Sequence, residues 1–83
     1  MKYLYFTAAW CGPCRQLGPI IEQVSQEGIP IQKIDVDNET ELTAEYGIRN
    51  VPTVILVDGD KELSRTVGVN PKDHYIQEYK KFN

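Results

Sequence analysis

Two β-prone segments, Lys2–Phe6 and Ile31–Val36, flank a stretch whose apolar residues follow a helical period. Leu17, Ile20, Ile21 and Val24 recur at that spacing between about Cys11 and Glu27. A helix there rules out a hairpin. The two strands should lie parallel, joined by a right-handed helical crossover. Lys2–Phe6 is aromatic-rich and too apolar for a half-exposed strand, and Thr7–Trp10 connects it to the helix. Gly28 is a natural stop for the helix, with Pro30 just beyond. Pro19, inside the helix, removes one donor and is expected to bend it.

Glu39–Tyr46 reads as a short helix capped by Asn38 or Asp37 and ended by Gly47. Pro52–Val57 is a strongly β-prone run, Asp58-Gly59-Asp60 is a turn, and Lys61–Val67 is the returning strand of a hairpin. Pro71–Phe82 forms the last helix, with Pro71 in its first turn and Asn70 as its cap. Tyr75, Ile76, Tyr79 and Phe82 make one helical stripe that should pack on the sheet, and His74 should be exposed. The expected order is β-α-β-α-β-β-α: an α/β fold with a four-stranded mixed sheet, three helices and helices on both faces. With 83 residues, the chain has room for a single domain, residues 1–83.

The loop-to-helix junction reads Trp10-Cys11-Gly12-Pro13-Cys14. As a staple the pair is poor, because closing so short a loop removes little entropy from the unfolded chain. Its value is chemical. At a helix N-terminus, unpaired N–H groups and the positive end of the macrodipole favour a thiolate, so Cys11 should ionise below the free value of ~8.5. One helical turn brings Cys14 within disulfide reach. Gly12 permits close approach of a partner backbone, and Pro13 suits and stiffens the first turn. Cys11 can then attack a substrate disulfide, and Cys14 can displace the reduced product. Burial of Cys14 behind Cys11 would explain why one sulfur meets substrate first. Trp10 can shield that sulfur and touch the partner; Arg15 adds positive potential or is simply solvated.

Other chemistries fit poorly. Zinc prefers four ligands, whereas there is no second cysteine pair and the only histidine, His74, is remote in sequence. Asp58 and Asp60 around Gly59 are too few oxygens for calcium. A net charge of −3 and scattered Lys and Arg argue against nucleic acid. Lys80-Lys81, the only basic doublet, suits the C-terminal dipole of the last helix. No segment reaches the ~18–20 apolar residues of a membrane span. Trp10 before Cys11 does not suit a signal-peptide cleavage site, so a cytoplasmic location is expected.

The sequence resembles the thioredoxin family over Phe6–Val69, and more weakly at the last helix. The resemblance rests on Ala-Trp-Cys-Gly-Pro-Cys-Arg, Pro19, Ile34-Asp35-Val36-Asp37, Tyr46-Gly47-Ile48-Arg49, Val51-Pro52-Thr53 and Val67-Gly68. It implies that Cys11 is the nucleophile and Cys14 the resolving thiol. It also implies a cis bond before Pro52, opposite the sulfurs, with the Val51 backbone offered to an extended substrate segment. No bound cofactor is implied beyond the redox-active Cys11–Cys14 disulfide. The implied partners of a monomeric chain are disulfide-bearing proteins and a flavoprotein thioredoxin reductase.

Two departures stand out. Typical members carry a strand and helix before the segment at which this sequence starts, which would leave Ile31–Val36 at a sheet edge guarded by Gln32, Lys33, Asp35 and Asp37. Tyr5 occupies the position where the family usually has a buried aspartate thought to move the proton of the second cysteine. A phenol, with a reference pKa of ~10, is a poor base at neutral pH. Without a buried negative charge the thiolates are less disfavoured, and Cys14 must lose its proton to water or to another group, Lys33 and Asp35 being candidates. Alternatively, Tyr5 only fills core volume. A glutaredoxin-like protein recharged by glutathione is a rival reading. That family usually has Thr-Val-Pro and a later Gly-Gly, whereas here the chain has Asn50-Val51-Pro52 and only Gly68. A second rival is a thioredoxin-like adaptor that binds one protein.

Overall fold

In a computed structural model describing all 83 residues, the sheet is built around two buried strands. Every residue of β1 (Lys2–Thr7) after Lys2 is buried, as are all of β3 (Thr53–Asp58) except the last. Such strands need cover on both faces, and the helices supply it. The sheet order is β2-β1-β3-β4, with β2 (Ile31–Asp35) parallel to β1 and β4 (Lys61–Val67) antiparallel to β3. The helical crossover between β1 and β2 therefore exists as expected, and β2 lies at the edge. Elements appear in the expected order, β-α-β-α-β-β-α.

On one face, Tyr3, Tyr5, Val54 and Leu56 meet Leu17, Ile21 and Val24 of α1 (Gly12–Gln26) and Tyr75 and Ile76 of α3 (Lys72–Phe82). Leu17 and Val24 are fully buried, each contributing about 1.5–3 kcal/mol by leaving water. On the other face, Leu4, Phe6, Ile34, Ile55 and Val57 are joined by Leu42 and Tyr46, from and just after α2 (Thr40–Glu45). Arg65 of β4 pins this region. Its guanidinium donates to both carboxylate oxygens of Glu62 at 2.9 Å and to the Tyr46 carbonyl at 2.7 Å. Pro19 lies inside α1 without ending it.

Several local expectations need correction. Neither Asn38 nor Asp37 caps α2; Glu39 holds that position without a side-chain bond. The Asp35 carbonyl takes the N–H groups of Asn38 and Glu39, and the Asp35 carboxylate takes that of Asp37. A side chain from the end of the strand has thus formed the turn. Asn70 does not cap α3 either. Pro71 is the N-cap, extended at ψ 153°, and its carbonyl accepts from His74. His74 is half-buried instead of exposed, with Nε2 2.9 Å from Thr66 Oγ1 of β4. The apolar stripe of α3 packs only in part. Tyr75 and Ile76 are buried, but Phe82 is 38% exposed beneath the Lys81 ammonium.

Candidate functional site

Cys11 is the N-cap of α1, in extended conformation, and Gly12 and Pro13 form its exposed first turn. The loop before it is held by the Cys11 N–H, which donates to the Ala8 carbonyl. The Cys14 N–H points at Cys11 Sγ from 3.2 Å. Thus the sulfur occupies the place of a capping oxygen, where an unpaired helix donor favours negative charge. Cys11 and Cys14 are joined as a disulfide, with their Cα atoms 5.3 Å apart. Every sequence-predicted site residue near the motif converges here. Cys11 Sγ lies 3.6 Å from the Val51 carbonyl, and Val51 packs with Ala8, Cys11 and Cys14. The Val51–Pro52 bond is cis, as expected.

Exposure does not divide the two sulfurs as expected. Cys11 is 4% exposed and Cys14 is 5% exposed. Ala8, Val36 and Val51 cover both, so a difference in whole-residue exposure cannot decide which sulfur meets a substrate first. Of the two cysteines, only Cys14 lines a cleft. Two open clefts lie near the pair. One, of about 460 Å³, is lined by Trp10, Val36, Ile48, Arg49 and Val51, among others. The other, of about 520 Å³, runs between α1 and β2 and has Cys14, but not Cys11, in its wall.

Trp10 is 68% exposed, although its indole N–H donates to the Asp37 carboxylate at 2.9 Å. This bond holds an apolar ring open to solvent at the mouth of the first cleft. Val67 and Val69 are also exposed, at 56% and 39%. Gly68 between them has φ +90°, which suits glycine, and its N–H donates to the Pro52 carbonyl at 2.9 Å. Sequence reasoning singled out Val67-Gly68 only as part of a motif and missed the bond between Trp10 and Asp37. Their signal was weak, since an exposed valine or aspartate is ordinary until a neighbour gives it a role.

Tyr5 is buried, and its hydroxyl donates to the Cys14 carbonyl at 3.2 Å. It therefore ties β1 to the first turn of α1. Lys33 stands beside Tyr5 in the β1–β2 register, and both line the second cleft with Cys14. Asp35, the other candidate, is absent from that wall and has its carboxylate on the Asp37 N–H. No group of three or more His, Cys, Asp or Glu side chains converges anywhere to hold a metal. No helix is long and apolar enough to cross a membrane.

A family model described as Thioredoxin matches residues 2–81. The chain is 44% identical over 71 residues to a thioredoxin of Chlorobaculum thiosulfatiphilum, covering 82% of this chain and 66% of that protein. It is 44% identical over 70 residues to a thioredoxin of Mycoplasmoides gallisepticum, covering 82% of this chain and 70% of that one. The chain thus spans about two thirds of the length of the curated relatives it matches. Among solved structures, thioredoxin 1 of Thermosipho africanus superimposes with a TM-score of 0.86 at 28% identity, over 99% of this chain and 93% of that one. A thioredoxin of Nicotiana alata gives 0.87 at 34% identity, over 95% of this chain and 70% of that one.

Proposed function

The chain belongs to the thioredoxin family, and from that premise we propose that it reduces protein disulfides by dithiol exchange at Cys11 and Cys14. The observation that carries this reading is the placement of Cys11 Sγ at a helix cap, on the Cys14 N–H and bonded to Cys14. A sulfur so placed is stabilised as a thiolate and has its exchange partner already within reach.

In the reduced chain, the Cys11 thiolate attacks one sulfur of a substrate disulfide. A Cys11–substrate disulfide forms, the substrate S–S bond breaks, and the other substrate sulfur leaves as a thiolate that takes a proton from water. Cys14 then loses its proton and attacks Cys11 Sγ. The Cys11–Cys14 bond forms and the second substrate sulfur is released. Two electrons have passed to the substrate, and the chain is left in the oxidised form described above. A flavoprotein thioredoxin reductase or glutathione returns it to the dithiol. A reducing compartment such as the cytoplasm suits this cycle.

Trp10, Gly12, Pro13, Val51 and Pro52 frame the approach to Cys11. A Cβ built on Gly12 would meet no atom within 4 Å, so its absence leaves room for a partner backbone at the helix tip. An extended substrate segment would lie against Val51, with Trp10 flanking it. The test is insulin-disulfide reduction with NADPH and thioredoxin reductase or, separately, with glutathione, alongside capture of substrates by Cys14→Ser. Turnover by the wild type and a mixed disulfide at Cys11 in the variant are expected. Silence in both reduction assays, with no adduct, would refute the proposal.

A further inference from the structure

The first turn of α1 carries the nucleophile, yet it is short of backbone donors. An N-cap side chain takes an N–H from the second or third helical residue, and here the second is Pro13, which has none. That leaves the Cys14 N–H, 3.2 Å from Cys11 Sγ. Further along, Pro19 lacks the N–H that the Arg15 carbonyl would accept, and its ring crowds that carbonyl. Between the two prolines, Cys14 is held at its other backbone group as well: its carbonyl accepts the Tyr5 hydroxyl at 3.2 Å. We propose that Tyr5 is a positioning residue for the nucleophile, its hydroxyl holding the Cys14 backbone so that the Cys14 N–H stays aimed at the Cys11 thiolate after the disulfide is reduced.

Rigidity suits Tyr5 to this role. It stands mid-strand, between Lys33 of β2 and Val54 of β3 in the sheet register, and is 4% exposed. Its ring belongs to the core cluster that includes Leu17 and Ile21 of α1, so hydroxyl and helix are fixed relative to one another. In the oxidised chain the Cys11–Cys14 bond itself keeps the turn closed. Reduction removes that bond and leaves the Tyr5 hydroxyl as the tie between turn and sheet. A donor held on a thiolate favours the charged form, whereas one free to swing away gives its place to water. An ionised aspartate at position 5 could not act this way, because it has no proton to give a carbonyl. The charged groups around the pair are Arg15 and Glu22 on α1, Lys33 on β2, Asp37 through Trp10, and Arg49 beside Val51; β3 and α3 add none to either cleft. Removing one neutral hydroxyl leaves all of them in place, so a change in Cys11 ionisation then reads geometry and not charge.

The inference rests on the oxidoreductase reading for its purpose, while its readout is separate. Ionisation of Cys11 is followed in the reduced chain by iodoacetamide alkylation against pH, with the labelled peptide identified by mass. Tyr5→Phe keeps the ring and loses the hydroxyl. Its midpoint should move up by about half a unit, since a hydrogen bond to the thiolate is weakened and not lost. Tyr3→Phe removes another buried phenol hydroxyl from the same strand face, one that donates to the Tyr75 carbonyl, and its midpoint should stay with the wild type. Placing 3-fluorotyrosine at position 5, a stronger donor of almost the same size, should move the midpoint down. Equal midpoints in Tyr5→Phe and the wild type, no response to fluorination, or equal upward shifts in Tyr5→Phe and Tyr3→Phe would each overturn the role of Tyr5. A wild type that titrates as expected but reduces no insulin overturns the oxidoreductase reading, and the purpose of the Tyr5 tie goes with it.

Discussion

Replacing Tyr3 and then Tyr75 by phenylalanine removes the same atom from two buried rings in mutual contact, with opposite expected consequences. The rings meet edge to face with centroids 6.1 Å apart, and both are almost fully buried. The Tyr3 hydroxyl donates to the Tyr75 carbonyl at 2.6 Å. The Tyr75 hydroxyl is buried with no group in hydrogen-bonding geometry, and burial pushes its phenol above the usual value, opposed in part by nearby Asn70. Losing a satisfied buried bond costs about 1–1.5 kcal/mol, whereas deleting an unsatisfied hydroxyl relieves part of a desolvation cost of about 1–3 kcal/mol. In a domain of this size each kcal/mol moves Tm by roughly 4–8 °C. Tyr3→Phe should therefore melt about 4–12 °C below the wild type, and Tyr75→Phe at or above it, both followed by circular dichroism. The pH dependence sharpens the comparison. Burial first, then the negative charges of Glu78 and neighbouring phenols, pushes the Tyr3 phenol far above its usual range. Because the folded value is the higher one, this contribution is whole below pH ~10 and drains away as pH rises further. Tyr3→Phe should flatten the alkaline loss of stability. A Tyr75→Phe variant that melts as low as Tyr3→Phe would refute the assignment of an unpartnered hydroxyl.

Tyr5→Asp places a carboxylate beneath the first turn of α1 and should raise the Cys11 pKa, read from the pH dependence of alkylation in the reduced chain; a fall would overturn the electrostatic account. Arg65→Met should leave global stability within about 1 kcal/mol of the wild type, since the pair is exposed, yet speed amide exchange at the C-terminal end of α2. The Arg65 hydrogen bond holds the Glu62 carboxyl below its usual pKa, so acid should loosen the same region as pH falls through that depressed value, and unchanged exchange at low pH would argue against this.

The parts of the fold legible in the sequence were those encoded by contiguous pattern. The apolar period of α1 and the β-prone runs around it fixed a parallel pair, and the Asp58-Gly59-Asp60 turn fixed an antiparallel one. Caps were read less well because several polar side chains competed for each. At α2, the Asp35 carboxylate took the Asp37 N–H and its carbonyl took the next two, so a turn built by Asp35 leads into the helix without a side-chain cap. At α3, the extended ψ of Pro71 put it outside the helix and displaced Asn70 from the cap. His74 was misread because its partner, Thr66, lies on a strand whose distance from α3 no local pattern specifies.

The site divides along the same line. Cys11 and Cys14 share one helical turn, so their adjacency was already contained in a spacing of three. Tyr5 could be flagged as a departure, but its bond to the Cys14 carbonyl depends on how β1 lies against α1. Lys33 was harder still. Its place in the wall of the cleft that Cys14 also lines requires the parallel register that sets Tyr5 opposite Lys33. That register also explains why Asp35, two residues on and on the same face, is not equivalent: it reaches the strand end and is used there to build a turn. Two candidates indistinguishable by strand alternation are thus separated by where the strand stops.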